Sequence, residues 1–440
     1  MKSLTRLSFL SLIFSFLNSQ LFAQTQDSLT LKNAISLALE KNYGIVLAKN
    51  AADIAKLQNN WGNAGLVPNI ALSSNYNYSN TNLHQELANG TVINRNGVNN
   101  QSINLALAGV WTVFDGQRMF VSKNRLEQLQ KLGETQTRQA IVQTVYNVSV
   151  AYYEALRISS QIAYTQEFIS LLTEREKIAK VAFEGGSSAK TDWLQSRLDL
   201  EEQKIALNSQ QANLQKAKAS INALLLREPS APCVLQTYSA QWLATPDFTR
   251  LESQLNSQNT QWLVAQHSLV LAQLNEKDIS SQRWPVVQVL SGYNLNNSRS
   301  DAGFNLSTQN RGPYVGLGLR IPLVQSNSLR VQQKVAQLQT QNQKLSIESL
   351  KNDLKTWFYN ARISYENAQQ TMNFCTQNSE IAKENQVIAL KQFQQKQIGI
   401  IELRQVQLNY QNVLQQKLNA QHELLLNKAY MEWLAADFVQ

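Results

Sequence analysis

The stretch Asn69-Ile70-Ala71-Leu72-Ser73-Ser74-Asn75-Tyr76-Asn77-Tyr78 places large apolar side chains at Ile70, Leu72, Tyr76 and Tyr78. Small or polar ones stand at Asn69, Ala71, Ser73, Asn75 and Asn77. Successive residues of a strand point to opposite faces, so this is a strand with one oily and one polar face. Three further stretches repeat the pattern. Ile103, Leu105, Leu107, Trp111 and Val113 alternate with Asn104, Ala106, Ala108 and Thr112. Val287, Val289, Tyr293 and Leu295 alternate with Gln288, Gly292, Asn294 and Asn296. Val315, Leu317, Leu319, Ile321 and Leu323 alternate with Gly316, Gly318 and Arg320. About ten residues each, with aromatics near the water interfaces, match strands of a transmembrane barrel. A soluble sandwich with its polar face in water alternates in the same way, so the strands alone leave both open.

The polar, Asn- and Gly-rich segments 81–101 and 297–312 read as loops joining paired strands. Known bacterial barrels start at about eight strands. Four strands therefore cannot close a barrel, and lipid does not tolerate an open edge. The chain must oligomerise, and this arithmetic alone does not choose between two copies and three.

Proline placement locates the rest. The prolines are 68, 229, 232, 246, 285, 313 and 322, leaving 69–228 and the region after 322 free of them. Proline inside a helix costs about 3 kcal/mol, so these tracts can hold very long helices, expected from about Arg118 to Phe183 and from Leu329 to Phe393. Such a helix is on the order of 100 Å long and must pack as a coiled coil. Ile141, Val145, Val148, Tyr152 and Ala155 step by 4 and 3, as do Leu350, Leu354, Trp357, Ala361 and Ser364. The helices turn back near Gly185-Gly186-Ser187-Ser188 and Lys396-Gln397-Ile398-Gly399, where glycine suits a left-handed helix end.

Sliding the chain along itself by 210 to 217 positions aligns two copies of one order: short helix, helix, two strands, very long helix, second long helix. Asn42 to Pro68 falls opposite Asn259 to Pro285, Phe183 to Leu200 opposite Phe393 to Tyr410, and Asp192 opposite Glu402. The expected division is 24–240 for the first copy and 241–440 for the second, after a signal peptide over 1–23. That peptide is read from Lys2, Arg6, the uncharged run Leu7 to Leu17 and Ala23.

Composition is 43% hydrophobic with a net charge of +9 and a mean hydropathy of −0.32. This suits elongated helices with narrow seams. The positive residues are spread along helices, so nucleic acid is not an expected partner. The two cysteines, Cys233 and Cys375, lie far apart, and whether they pair is open at this stage. His84 falls in an expected outer loop and His267 and His422 in separate helices, none at metal-ligand spacing. No phosphate-cradling loop, HExxH or G-x-S-x-G is present. The expectation is therefore no enzyme, no cofactor and no metal.

Four stretches carry a family resemblance: Leu29-Thr30-Leu31-Lys32-Asn33-Ala34-Ile35-Ser36-Leu37-Ala38-Leu39-Glu40-Lys41-Asn42, Gly65-Leu66-Val67-Pro68, Val113-Phe114-Asp115-Gly116-Gln117-Arg118 and Phe183-Glu184-Gly185-Gly186. In this order, within the repeat, they resemble the TolC family of outer-membrane efflux and export channels across essentially the whole mature chain. The resemblance implies a mainly α fold with a membrane β-barrel. A homotrimer would build a 12-stranded barrel in outer-membrane lipid of a Gram-negative bacterium, four strands per protomer. Long helical hairpins would continue it as a periplasmic α-barrel, with a small mixed α/β girdle at Leu29 to Asn42, Pro229 to Asn256 and the C-terminus. The implied function is passive conduction in a tripartite efflux or type I secretion system, with a periplasmic adaptor (membrane fusion) protein and an inner-membrane pump of RND or ABC type.

By the same resemblance Ile70, Leu72, Tyr76, Leu105, Leu107, Trp111, Val287, Val289, Tyr293, Leu317 and Leu319 would face lipid. The tips Gly185, Gly186, Ser187, Lys396, Gln397 and Gly399 would meet the adaptor. Asp192 matches a latch acid and Glu402 a ring acid of the periplasmic gate. Phe393 and Ile398 depart from the family's latch Tyr and Arg, and Gln405 from its second ring acid, which turns attention to Arg404 or Lys396 as the contact holding the gate. The non-channel alternative is a periplasmic coiled-coil scaffold or adaptor without a pore, which leaves the four lipid-patterned strands unexplained.

Overall fold

A computed structural model describes residues 29–236, 240–323 and 327–437; the expected signal peptide lies outside them. The elements run α1 (Leu31–Lys41), α2 (Tyr43–Gln58), β1 (Asn69–Glu86), β2 (Val92–Phe114), α3 (Arg118–Glu184) and α4 (Lys190–Leu224). After a 3-10 turn at Ala240–Leu243 follow α5 (Phe248–Gln258), α6 (Thr260–Ser281), β3 (Val286–Ser300), β4 (Ser307–Arg320), α7 (Ser328–Gln394) and α8 (Ile400–Ala435). Both very long helices, α3 and α7, have 67 residues, with ends within a residue of those read from proline placement. Packing divides the chain into two compact units, one from 1–46, 141–257 and 355–440, the other from 47–140 and 258–354.

The second unit holds one antiparallel sheet of four strands in the order β1-β2-β3-β4. Its register puts the expected oily residues that it pairs on one face, with Val113 left in a bulge and Ile321 and Leu323 beyond the end of β4: Leu72, Leu107 and Tyr293 share a row, as do Val289, Trp111 and Leu317. On that face Leu72, Val315 and Leu317 are 69%, 80% and 80% exposed, which no water-facing sheet would leave uncovered. The other face carries a row of asparagines directly opposite one another, Asn75–Asn104–Asn296–Asn310. A bulge skips Val113 and brings Phe114 opposite Val287, re-aiming the strand where it leaves the sheet.

The hairpins are longer than alternation implied. Segments 81–101 and 297–312, read as loops, are mostly strand, and the turns shrink to 87–91 and 301–306. His84 accordingly lies in β1 rather than in a loop. Amide side chains hold this polar extension: Asn80 Nδ2 and the Tyr78 hydroxyl both donate to Asn99 Oδ1 at 2.8 Å, and Asn99 Nδ2 donates to Asp301 at 2.9 Å. With water on both faces, alternation is not required of these residues, so period two could not reveal them.

At the strand-to-helix junction Asp115 accepts from the Met119 amide at 3.0 Å. Gly116 has φ +72°, and a Cβ there would lie 2.6 Å from both the Ser281 carbonyl oxygen and Trp284 Cβ, so only glycine fits. In the same unit α2 packs closely on α3, where an added Cβ at Gly133 would fall 2.9 Å from Ala52 Cα. Hydrogen bonds tie α3 to α6 through His267, which sits between Gln128 and Thr135. Arg118 pairs with Asp278 at 3.2 Å.

The first unit is built on seams. Val145, Val148, Tyr152 and Ala155 of α3 are buried as expected. On α7 Leu354 and Ala361 are buried as expected, but Trp357 and Ser364 are exposed, and the neighbouring Phe358 and Tyr365 are buried in their place. The 3-4 stepping persists, but the aromatic partner fixes its phase, since Phe248 of α5 meets Tyr365 edge-on at 5.7 Å. The Tyr152 hydroxyl donates to the Leu29 carbonyl at 2.7 Å, beside a parallel bridge between Leu29 and Leu235. Arg250 of α5 pairs with Asp437 at 2.6 Å, which brings the C-terminal end of α8 into the same mixed region. Cys233 and Cys375 are both buried free thiols.

Near that end burial pushes the Glu432 carboxyl up to about 7; Asp437 adds to the rise, while Lys428 and Arg250 oppose it. The native carboxyl keeps its proton to higher pH than the unfolded one, which ionises near 4.5, so stability falls as pH rises between these values. Glu432→Gln should raise thermal stability at pH 8 by up to about 3 kcal/mol and give almost no gain near pH 4; paired melting curves at the two pH values check this.

Candidate functional site at the hairpin tips

Both hairpins turn in the same way. In the first, Gly186 adopts φ +71°, its amide bonds the Phe183 carbonyl at 2.9 Å, and the Ser187 amide bonds the Ala182 carbonyl at 2.8 Å. In the second, Lys396 takes the left-handed position at φ +61°, with matching bonds to Phe393 and from Gln397 to Gln392. These bonds satisfy the last carbonyls of each long helix. Phe183 stacks on Trp193 at 5.7 Å, and the Trp193 indole donates to Glu176 at 2.6 Å, closing the first tip.

Asp192 sits in the first turn of α4 and accepts from the Ser188 hydroxyl at 2.8 Å. Glu402 occupies the equivalent turn of α8 and accepts from the Gly399 amide at 3.3 Å. Neither acid makes an ion pair among the described residues. Phe393 lines a recess of about 220 Å³ together with Ile178, Ala182, Asp192, Lys396 and Ile398. Gln397 and Ser187 follow the left-handed residues of the two turns.

Arg404 lies away from Asp192, in a cluster that the sequence reading did not assemble. Asp199 of α4 receives Arg404 Nε at 2.9 Å, Gln195 Nε2 at 2.8 Å and the Arg175 guanidinium of α3. Arg175 also donates to Gln407 Oε1 of α8 at 2.9 Å. Arg175 is 1% exposed and Gln407 fully buried, whereas Arg404 reaches solvent. Burial pulls the Arg175 guanidinium below its usual range, opposed by the hydrogen bond and charge of Asp199. Arg175 Nε and Gln407 Nε2 have no hydrogen-bond partner among the described residues.

The signal for this cluster is positional. Phe168, Leu172, Arg175 and Ala179 step by 4, 3 and 4 and are all buried, so an arginine occupies a seam position. Gln407 stands likewise between Leu403 and Tyr410. A buried ion pair adds little net stability, but removing one partner costs about 3–5 kcal/mol. The cluster therefore ties α3, α4 and α8 together while it is complete and releases them sharply when it is broken. Asp199→Asn should loosen the tip by about 3 kcal/mol, seen as faster amide exchange in the facing parts of α3, α4 and α8. Asp192→Asn should alter exchange only in the turn it caps.

The sequence model described as outer membrane efflux protein matches residues 34–225. A search of curated proteins by sequence finds no match. Among solved structures, the outer membrane protein VceC from Vibrio cholerae superposes with a TM-score of 0.78 at 14% identity, covering 92% of this chain and 96% of that one. The Campylobacter jejuni CmeC outer membrane channel gives 0.73 at 14% identity over 92% and 85%. The open state of the Neisseria gonorrhoeae MtrE outer membrane channel gives 0.71 at 16% over 92% and 88%. At such identities the structures establish the fold. Over residues 34–225 the chain is thus similar in sequence to the outer membrane efflux protein family, and over 92% of its length it shares the fold of these channels.

Proposed function

We propose that this protein is the outer-membrane tunnel of a tripartite efflux or type I secretion assembly, passing cargo passively to the exterior. The observation that carries this reading is a sheet whose oily face is bare and whose two edges, β1 and β4, are unpaired within the chain. Pairing β1 of one copy with β4 of the next is a head-to-tail contact, which closes into a ring. Three copies close a 12-stranded barrel, with the polar face and its asparagine row lining a water-filled bore.

The helices next to these edge strands support the same closure. α2, which leads to β1, exposes Leu47, Ile54 and Leu57. α7, which follows β4, exposes Val331, Val335, Leu338 and Leu345. Both stripes keep 3-4 spacing, so each suits a neighbouring helix of another copy. The repeated order and the matched lengths of α1 and α5, 11 residues each, and of α3 and α7 support two tandem copies over 24–240 and 241–440.

In the first unit, the recess around Phe393 and the turns at Gly185, Gly186, Ser187, Lys396, Gln397 and Gly399 form the docking site for the periplasmic adaptor, which links the tunnel to an inner-membrane pump of RND or ABC type. Asp192 and Glu402 place carboxylates at the constriction, three of each in the ring. Like charges around a narrow bore favour cations.

The purified protein should have the mass of a trimer in detergent and give small, cation-preferring steps in a planar bilayer; a monomer without conductance overturns the reading. Glu402→Ala should then shift the reversal potential in a salt gradient toward zero, and an unchanged potential removes Glu402 from the constriction.

A further inference from the structure

The oily face of the sheet is not uniformly oily. In the rows between Leu319 and Ser307, only two side chains on that face are charged, and both are arginines. Arg311 shares a row with Leu295, Leu105 and Ser74, and Arg299 shares one with Ser307, Gln101 and Tyr78. Both are exposed, and neither makes an ion pair among the described residues. Asp301, two residues beyond Arg299 in sequence, is engaged by Asn99.

Their height follows from strand geometry. Arg311 lies eight residues up β4 from Leu319, or about 27 Å along the strand and about 20 Å along the membrane normal at the usual tilt. An outward apolar band is about 25 Å tall, so Arg311 stands at its upper margin. Arg299, opposite a residue four further along β4, stands about 10 Å higher. Both lie toward the turns at 87–91 and 301–306, the end of the sheet remote from the helices. Under the channel reading this is the outer leaflet.

A guanidinium at the edge of hydrocarbon is costly unless it meets water or an anion, and its planar fork fits phosphate oxygens in pairs. Two such cations at two depths on neighbouring strands suit a lipid headgroup bearing more than one phosphate. Phosphatidylglycerol or phosphatidylethanolamine offers one phosphate at one depth. We propose that Arg299 and Arg311 form a docking site for the phosphate groups of an outer-leaflet glycolipid, an inference that rests on the outer-membrane reading above.

The test is native mass spectrometry of the trimer purified from outer membranes, together with titration of the delipidated trimer. The probes are the phosphorylated glycolipid extracted from the same membranes, the same glycolipid after phosphatase treatment, and phosphatidylglycerol. The wild type should retain the phosphorylated glycolipid, bind the dephosphorylated form about tenfold more weakly and prefer the glycolipid over phosphatidylglycerol. The double variant R299Q/R311Q should lose that preference, and R299K/R311K should keep part of it. Equal retention by the wild type and the glutamine variant overturns the site, and so does equal binding of phosphatidylglycerol. Fractionation separates the two claims. A wild type absent from the outer membrane overturns the channel reading as well. Normal insertion of both proteins with unchanged lipid binding overturns this site alone.

Discussion

An unpaired strand edge cannot remain in hydrocarbon, and this constraint orders the rest of the molecule. Each backbone N–H or C=O left without a partner there costs several kcal/mol, and β1 and β4 each present a full row of them. The chain cannot satisfy these rows itself, because four strands are too few to curl closed. It therefore depends on copies of itself. The two edges differ, so the contact is head-to-tail and propagates around a ring. The helices joined to the edge strands inherit the same requirement, which accounts for the bare apolar stripes on α2 and α7.

The opposite face answers a different demand. The bore of a barrel must hold water, and the Asn75–Asn104–Asn296–Asn310 row lines it with carboxamides, which are polar and uncharged. Such a lining hydrates cargo of either sign without binding it through charge. Charge is concentrated instead at the hairpin tips, where acids stand at the helix starts.

The sequence made the fold legible wherever one environment acted on a whole element. Lipid on one face and water on the other wrote period two into Ile70 to Tyr78, and the absence of proline located the tracts that hold α3 and α7. Legibility failed where two environments became one or where a distant partner decided. Above the membrane both faces are wet, so the outer halves of β1 and β2 read as loops. On α7 the sequence offers two adjacent apolar phases, Trp357 and Phe358, and only Phe248, packed against Tyr365, selects between them. The charge cluster was hidden for a related reason. Arg175, Asp199 and Gln407 come from three helices, and a polar residue on a seam reads as surface until its neighbours prove buried.

The distribution of burial along the helices explains why such a cluster stands near the tip. In the C-terminal half of α8, Leu418, Leu424, Leu425, Met431 and Leu434 are buried, whereas the half nearer the tip buries only Leu403, Gln407 and Tyr410. Along α7 the buried positions pass from Phe358 and Tyr365 to Cys375, Ser379 and Gln386 as the tip approaches. Since cohesion scales with apolar area at about 25 cal/mol per Å², the seam weakens toward the tip. A continuous leucine seam would hold the tip more tightly and leave it no accessible second arrangement. A buried pair such as Arg175 and Asp199 adds little to the total but makes separation abrupt. The segments with the least apolar contact are the ones free to move, and charge takes over there the holding that apolar packing provides elsewhere.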